Sequence, residues 1–216
     1  MAMKTKSVPA HWPPDISYLL VPSYAPSMPL SLVSEIRGSK ASLPTPPCAR
    51  VSIRRITAKG HPAIGQNGLF AARNITADSH ICDYLGEVHC EDRNSDYDLS
   101  LFRSREGISV GVDASQMGNE SRFVNDYRGV KARPNAIFKE TRTPSGELRI
   151  SIWSATSKIR KGEEILVSYG KSWWRARITG PGTYHDSKIE VRDFLQVFRN
   201  FRLNVGQDDP GAEGTV

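Results

Sequence analysis

From residue 51 onward, apolar and polar positions alternate in short runs cut by turn residues, the period-two pattern of half-buried strands. Residues 51–56 form the first run, and 69–72 follow after breaks at Gly60 and Gly65. Residues 80–88 read as one strand with Gly86 inside it. Two hairpins stand out. Residues 97–102 and 108–112 flank a charged turn at 103–107, while 135–141 and 148–155 flank Pro144, Ser145 and Gly146, a strong turn triplet. A last short strand covers 165–167. The pattern predicts a mainly β domain of many short strands with little helix.

The ends read differently. Residues 1–50 are rich in Pro and Ser, with paired prolines at 13–14 and 46–47, so backbone donors are missing and φ is restrained. Trp12, Tyr18, Leu19, Leu20 and Tyr24 make this stretch too apolar for solvated disorder. It is expected to run along the surface of the domain, with a turn of helix near 30–36. Beyond Tyr169, residues 171–177 suggest a helical turn. Val191, Phe194, Leu195, Phe198 and Phe201 then recur at helical spacing and predict an amphipathic helix over 189–203. The expected organisation is a Pro-rich extension at 1–50, a β domain at 51–178, a helical segment at 179–205 and a disordered tail at 206–216.

Composition narrows the classes. With 216 residues, 38% hydrophobic and 24% charged, the chain can bury a real core. No run approaches the roughly 20 apolar residues of a membrane helix. The first fifteen residues hold no apolar core of signal-peptide length, so an intracellular protein is expected. Cys48, Cys82 and Cys90 show no CxxC spacing, which argues against a zinc cluster or disulfide framework. The net charge of +6 comes as scattered pairs such as Arg54–Arg55 and Arg160–Lys161, and no nucleic-acid site is read from them.

Four segments of residues 51–174 occur in the order found in one family. They are the run QNGLFA at 66–71; Tyr84, Gly86 and Glu87 in a YxGE pattern; GNESRFVN at 118–125 followed by Pro134, Asn135 and Ala136; and GEEILVSYG at 162–170. The third is the most specific, because it fixes several residue types over a short span. Together these segments resemble the SET-domain protein lysine methyltransferases. The resemblance implies a fold of several small sheets with a knot-like threading of the two late segments, an exception to the usual unthreaded chain. Three departures stand out. Gln66 occupies the first glycine position, Asp126 and Tyr127 follow Asn125 where His and then Ser or Cys are usual, and the flanking cysteine-rich segments are absent.

The resemblance implies methyl transfer from S-adenosylmethionine to a lysine, giving S-adenosylhomocysteine, with no metal site and no zinc expected. The attacking amine must be neutral, and at an unperturbed pKa near 10.4 only about one lysine in a thousand is neutral at pH 7. Burial in an aromatic tunnel lowers that pKa and aligns the reactants. Tyr169 is then the catalytic residue, by positioning and polarisation, since a phenol is a poor base at neutral pH. Tyr97, Tyr84, Phe138 and Val167 are the candidates for the lysine channel. Asn67, Gly68, Leu69, Arg122, Phe123, Asn125, Asp126 and Trp174 are those for cofactor binding. Arg122 either pairs with a cofactor carboxylate or braces its loop, Asn135 stabilises the loop crossing, and Trp173 or Trp174 covers the adenine.

A ring hydroxyl near the amine favours monomethylation in relatives. Val167 is aliphatic and Phe138 has no hydroxyl, which points to di- or trimethylation. The favoured partner is a protein with an exposed lysine-bearing tail, a histone above all, in the nucleus. Two alternatives stand beside this reading: a lysine methyltransferase for a non-histone protein, and a catalytically weak SET module that only binds a partner. A metal hydrolase built on His80, Cys82, His89 and Cys90 lacks a convincing fourth ligand spacing.

Overall fold

The computed structural model describes residues 8–38 and 40–170. In chain order the elements are β1 (Ser17–Tyr18), β2 (Ser23–Tyr24), α1 (Leu30–Arg37), β3 (Val51–Arg55), β4 (Asn67–Ala71), β5 (His80–Tyr84), β6 (Glu87–His89), β7 (Asp98–Arg103) and β8 (Ser109–Asp113). After β9 (Met117–Gly118) comes a 3₁₀ turn (Glu120–Phe123), then β10 (Asn125–Asp126), β11 (Ala136–Arg142), β12 (Leu148–Ser154) and β13 (Leu166–Val167). Among the described residues this is a mainly β fold of small sheets, as the alternation predicts. The predicted helix at 189–203, the turn at 171–177, Trp173, Trp174 and the tail lie outside the described residues.

Both predicted hairpins are present. β7 and β8 pair antiparallel, as do β11 and β12, whose turn carries Gly146 at φ 90°. The run 80–88 is not one strand. β5 joins the sheet β11-β12-β5, whereas β6 joins the sheet β2-β6-β8-β7. The chain changes sheets at Leu85–Gly86 because Gly86 lies against the backbone of Asp113. A Cβ there would come 2.5 Å from the Asp113 carbonyl oxygen, so any side chain would push the start of β6 away from β8.

The N-terminal extension does more than lie on the surface. β1 pairs in parallel with β9 and β2 with β6. Ala25, Met28, Leu32 and Ile36 are buried in a core with Tyr84, Val88, Leu101, Val110, Val112 and Ile150. Trp12 packs on the second core, built around Leu69, Ile81, Ile152, Ile165 and Val167. The helix predicted near 30–36 is α1, and its inward residues Leu32 and Ile36 are four apart.

Candidate active site

Two segments far apart in sequence build the centre of the site. β10 and β13 pair in parallel, with Asn125 opposite Leu166 and Asp126 opposite Val167. The Asn135 side chain locks this crossing. Its Nδ2 donates to the Glu164 carbonyl and its Oδ1 accepts from the Leu166 N–H, both at 2.8 Å. Asn135 thus holds the loop, as the sequence suggests.

Tyr169 follows β13 directly and is held at two points. Its N–H donates to Asp126 Oδ2 and its hydroxyl donates to the Val124 carbonyl, both at 2.8 Å. Burial pushes the phenol well above its usual pKa, and the Asp126 carboxylate adds to the effect. Tyr169 is therefore a neutral hydrogen-bond donor.

Around it lies a cleft of about 250 Å³. Three of the four expected channel residues, Tyr84, Tyr97 and Phe138, line it together with Tyr169. The Tyr84 hydroxyl donates to the Tyr97 carbonyl at 2.8 Å, and the Tyr84 and Phe138 rings meet edge to face at 6.2 Å. Val167 does not line the cleft. It is fully buried in the core behind it.

Of the expected cofactor residues, Asn67, Arg122, Phe123, Asn125 and Asp126 line the cleft. Gly68 and Leu69 stand behind it. Leu69 is fully buried in the core, and the missing Gly68 side chain makes room for Glu164, whose Oε1 would lie 2.8 Å from a Cβ. Arg122 is a brace. Its Nε donates to the Ala114 carbonyl at 2.9 Å, and its guanidinium covers the Tyr97 ring at 4.2 Å. The Asp126 carboxylate, in the usual His position, is spent on the protein: it takes the Tyr169 N–H and pairs with Arg128 at 2.8 Å. Trp174 lies outside the described residues.

Residues not singled out from sequence also line the cleft, among them His61, Gln66, Asp96, Leu99 and Val124. Gln66 sits in the first motif and Val124 inside the third, so those two carried a signal. His61, in the loop between Gly60 and Gly65, carried none. The four residues weighed as metal ligands are dispersed: His80 pairs with Asp83, Cys82 is in the core, and His89 pairs with Asp98. No group of three or more potential metal ligands occurs among the described residues.

The family model of the SET domain matches residues 66–170, the stretch that holds β10, β13, Asn125 and Tyr169. Over this stretch the chain is similar to the SET-domain family. Its SET region is 34% identical over 110 residues to Histone-lysine N-methyltransferase set-2 of Caenorhabditis elegans, covering 47% of this chain and 7% of that protein. It is equally identical over 110 residues to the Histone-lysine N-methyltransferase, H3 lysine-36 specific, of Eremothecium gossypii, covering 47% of this chain and 15% of that one. The H3 lysine-4 specific enzyme of Schizosaccharomyces pombe is 33% identical over 112 residues, with 47% and 11% covered. The chain thus spans only a small part of the relatives it matches. Its fold is similar to that in a crystal structure of ATXR5 in complex with histone H3.1 mono-methylated on R26, with a TM-score of 0.53, 16% identity, and 73% of this chain and 82% of that one covered.

Proposed function

We propose that this SET-domain chain is an S-adenosylmethionine-dependent protein lysine N-methyltransferase that acts on a histone tail lysine in the nucleus. The observation that carries the reading is the buried Tyr169 hydroxyl at the meeting of three aromatic walls, with the Asn125 amide on the same cleft. The cleft suits a cationic donor and a lysine. Carboxylates of Asp126, Asp96 and Glu164 lie near enough to raise the Tyr169 phenol. Asn125 Oδ1 takes no hydrogen bond from the described residues and is open as an acceptor. When bound, the sulfonium supplies the methyl group, which the lysine lone pair takes as the carbon–sulfur bond breaks onto sulfur.

The chain's own residues prepare that transfer. Tyr84, Tyr97 and Phe138 exclude water from the amine and so favour its neutral form. The Tyr169 hydroxyl donates a hydrogen bond to the Val124 carbonyl, which fixes its oxygen to orient the amine and the methyl group. Phe138 lines the cleft without a hydroxyl, which favours addition of a second or third methyl. The relatives do not select one lysine, since those named for lysine 36 and for lysine 4 of histone H3 are 34% and 33% identical to this chain.

The test is methylation of core histones and of whole-cell extract, with mass spectrometry to place the modified lysine. Tyr169→Phe is expected to lose about 100-fold or more in rate, the scale of one preorganised polar group. Methylation of extract proteins with histones untouched would redirect the substrate. A Tyr169→Phe variant as active as the parent would overturn the reading.

A further inference from the structure

A closed hydrogen-bond chain runs along the cofactor wall, and one of its members plays no part in the reading above. The Ala63 N–H donates to His61 Nδ1 at 3.0 Å. His61 Nε2 meets Glu164 Oε2 at 2.9 Å, and Asn125 Nδ2 donates to Glu164 Oε1 at 2.9 Å. Side-chain exposure is 6% for His61 and 8% for Glu164, so water does not substitute for these contacts.

The chemistry fixes every direction in this chain. Ala63 occupies Nδ1 with a donor, so the ring proton sits on Nε2 and is given to Glu164. A carboxylate only accepts, so Asn125 must present its NH₂ to Glu164 and turn its carbonyl oxygen away. The lack of a side chain at Gly68 leaves space for the Glu164 carboxylate between them.

We infer that His61 is a positioning residue: by holding Glu164, it sets the Asn125 amide so that Oδ1 is offered to the donor groups of the cofactor. His61 comes from the loop before β4, outside the four motifs, and reaches Glu164 across 103 residues. Without it, the carboxylate is free to rotate about its last bonds, and the Asn125 amide loses its fixed sense. The inference rests on the reading of the cleft as the S-adenosylmethionine site.

Calorimetric titration of the full chain with S-adenosylhomocysteine tests both. His61→Leu is expected to weaken binding about tenfold, the scale of a lost hydrogen bond to a charged group. His61→Gln, whose amide nitrogen reaches where Nε2 stood, stays within about threefold of the parent, whereas His61→Asn, whose nitrogen falls short at the Nδ1 place, does not. In an Asn125→Ala background His61→Leu adds less than about twofold, because the group it acts through is gone. If His61→Leu fails to fold in a thermal melt, the comparison of the Gln and Asn variants decides. Additive losses in the double variant, unchanged binding by His61→Leu, or equal binding by the Gln and Asn variants would each overturn the role of His61 alone. A parent chain that binds no S-adenosylhomocysteine would overturn the reading of the cleft and this inference with it.

Discussion

Arg149 joins the N-terminal extension to the central sheet, and replacing it by Met tests how the two are held together. Its guanidinium is 4% exposed and serves two carboxylates. Nε and Nη2 donate to Glu147 Oε2 at 2.8 and 2.6 Å, and Nη1 donates to Asp83 Oδ2 at 2.8 Å and to Thr45 Oγ1 at 3.1 Å. Glu147 is fully buried and also accepts from Tyr24 and Ser42 of the extension, at 2.9 and 2.6 Å. Burial pushes the Asp83 carboxyl up, but hydrogen bonds from His80, Ser151 and Arg149 outweigh it and hold the group at about 2.

Met fills much of the Arg stem but strands both carboxylates in the interior. Removing one partner from a buried ion pair costs about 3–5 kcal/mol, and we expect Arg149→Met to fall in that range at pH 7.5. Urea unfolding followed by tryptophan fluorescence measures it. With a slope of about 2 kcal/mol/M, the midpoint falls by about 1.5–2.5 M. The pH dependence has a definite sign. Asp83 is depressed in the folded parent, so its contribution is present above the unfolded value near 3.9 and is lost as pH falls through about 2. In the variant the Asp83 carboxyl loses the Arg149 hydrogen bond, titrates higher and neutralises sooner, so the gap between variant and parent narrows from pH 7.5 to pH 4.5. A loss below about 1 kcal/mol, or one that does not change with pH, would refute the reasoning.

Three further outcomes follow from named contacts. Phe138→Tyr places a hydroxyl on the cleft wall beside Tyr84, and mass spectrometry of the methylated product should shift toward monomethyl-lysine; an unchanged distribution would remove Phe138 from product control. Cys48 is half-buried and donates to the Ile81 carbonyl at 3.2 Å, and the neighbouring Cys82 lowers its thiol despite burial while Cys82, in the core, is raised; iodoacetamide should label Cys48 first and leave Cys82 untouched until unfolding. Gly86→Ala puts a Cβ 2.5 Å from the Asp113 carbonyl oxygen and 2.7 Å from its carbon, so a loss of about 2 kcal/mol or more is expected by thermal or urea denaturation, because backbone cannot yield as a side chain tip does.

The sequence by itself determined the strand-rich class, both hairpins and α1, since each depends on periodicity and turn residues within a few positions. It also singled out Tyr169, Asn125 and Tyr84 from within ordered motifs and Tyr97 and Phe138 from outside them, and all five line one cleft. It misjudged 80–88 as a single strand, since the reason for the break is Asp113, more than twenty residues away. Which members of a motif face the cleft was decided only by the tertiary structure. Leu69 and Val167 turn into the core, Gly68 yields its space to Glu164, and Asp126 and Arg122 are taken up by the protein's own backbone. His61 was invisible because its partner Glu164 is 103 residues distant. Local pattern reports which residues are buried or turned. What each buried polar group meets depends on chain closures over tens to hundreds of residues, and their cost and geometry are set by the packing of the whole domain.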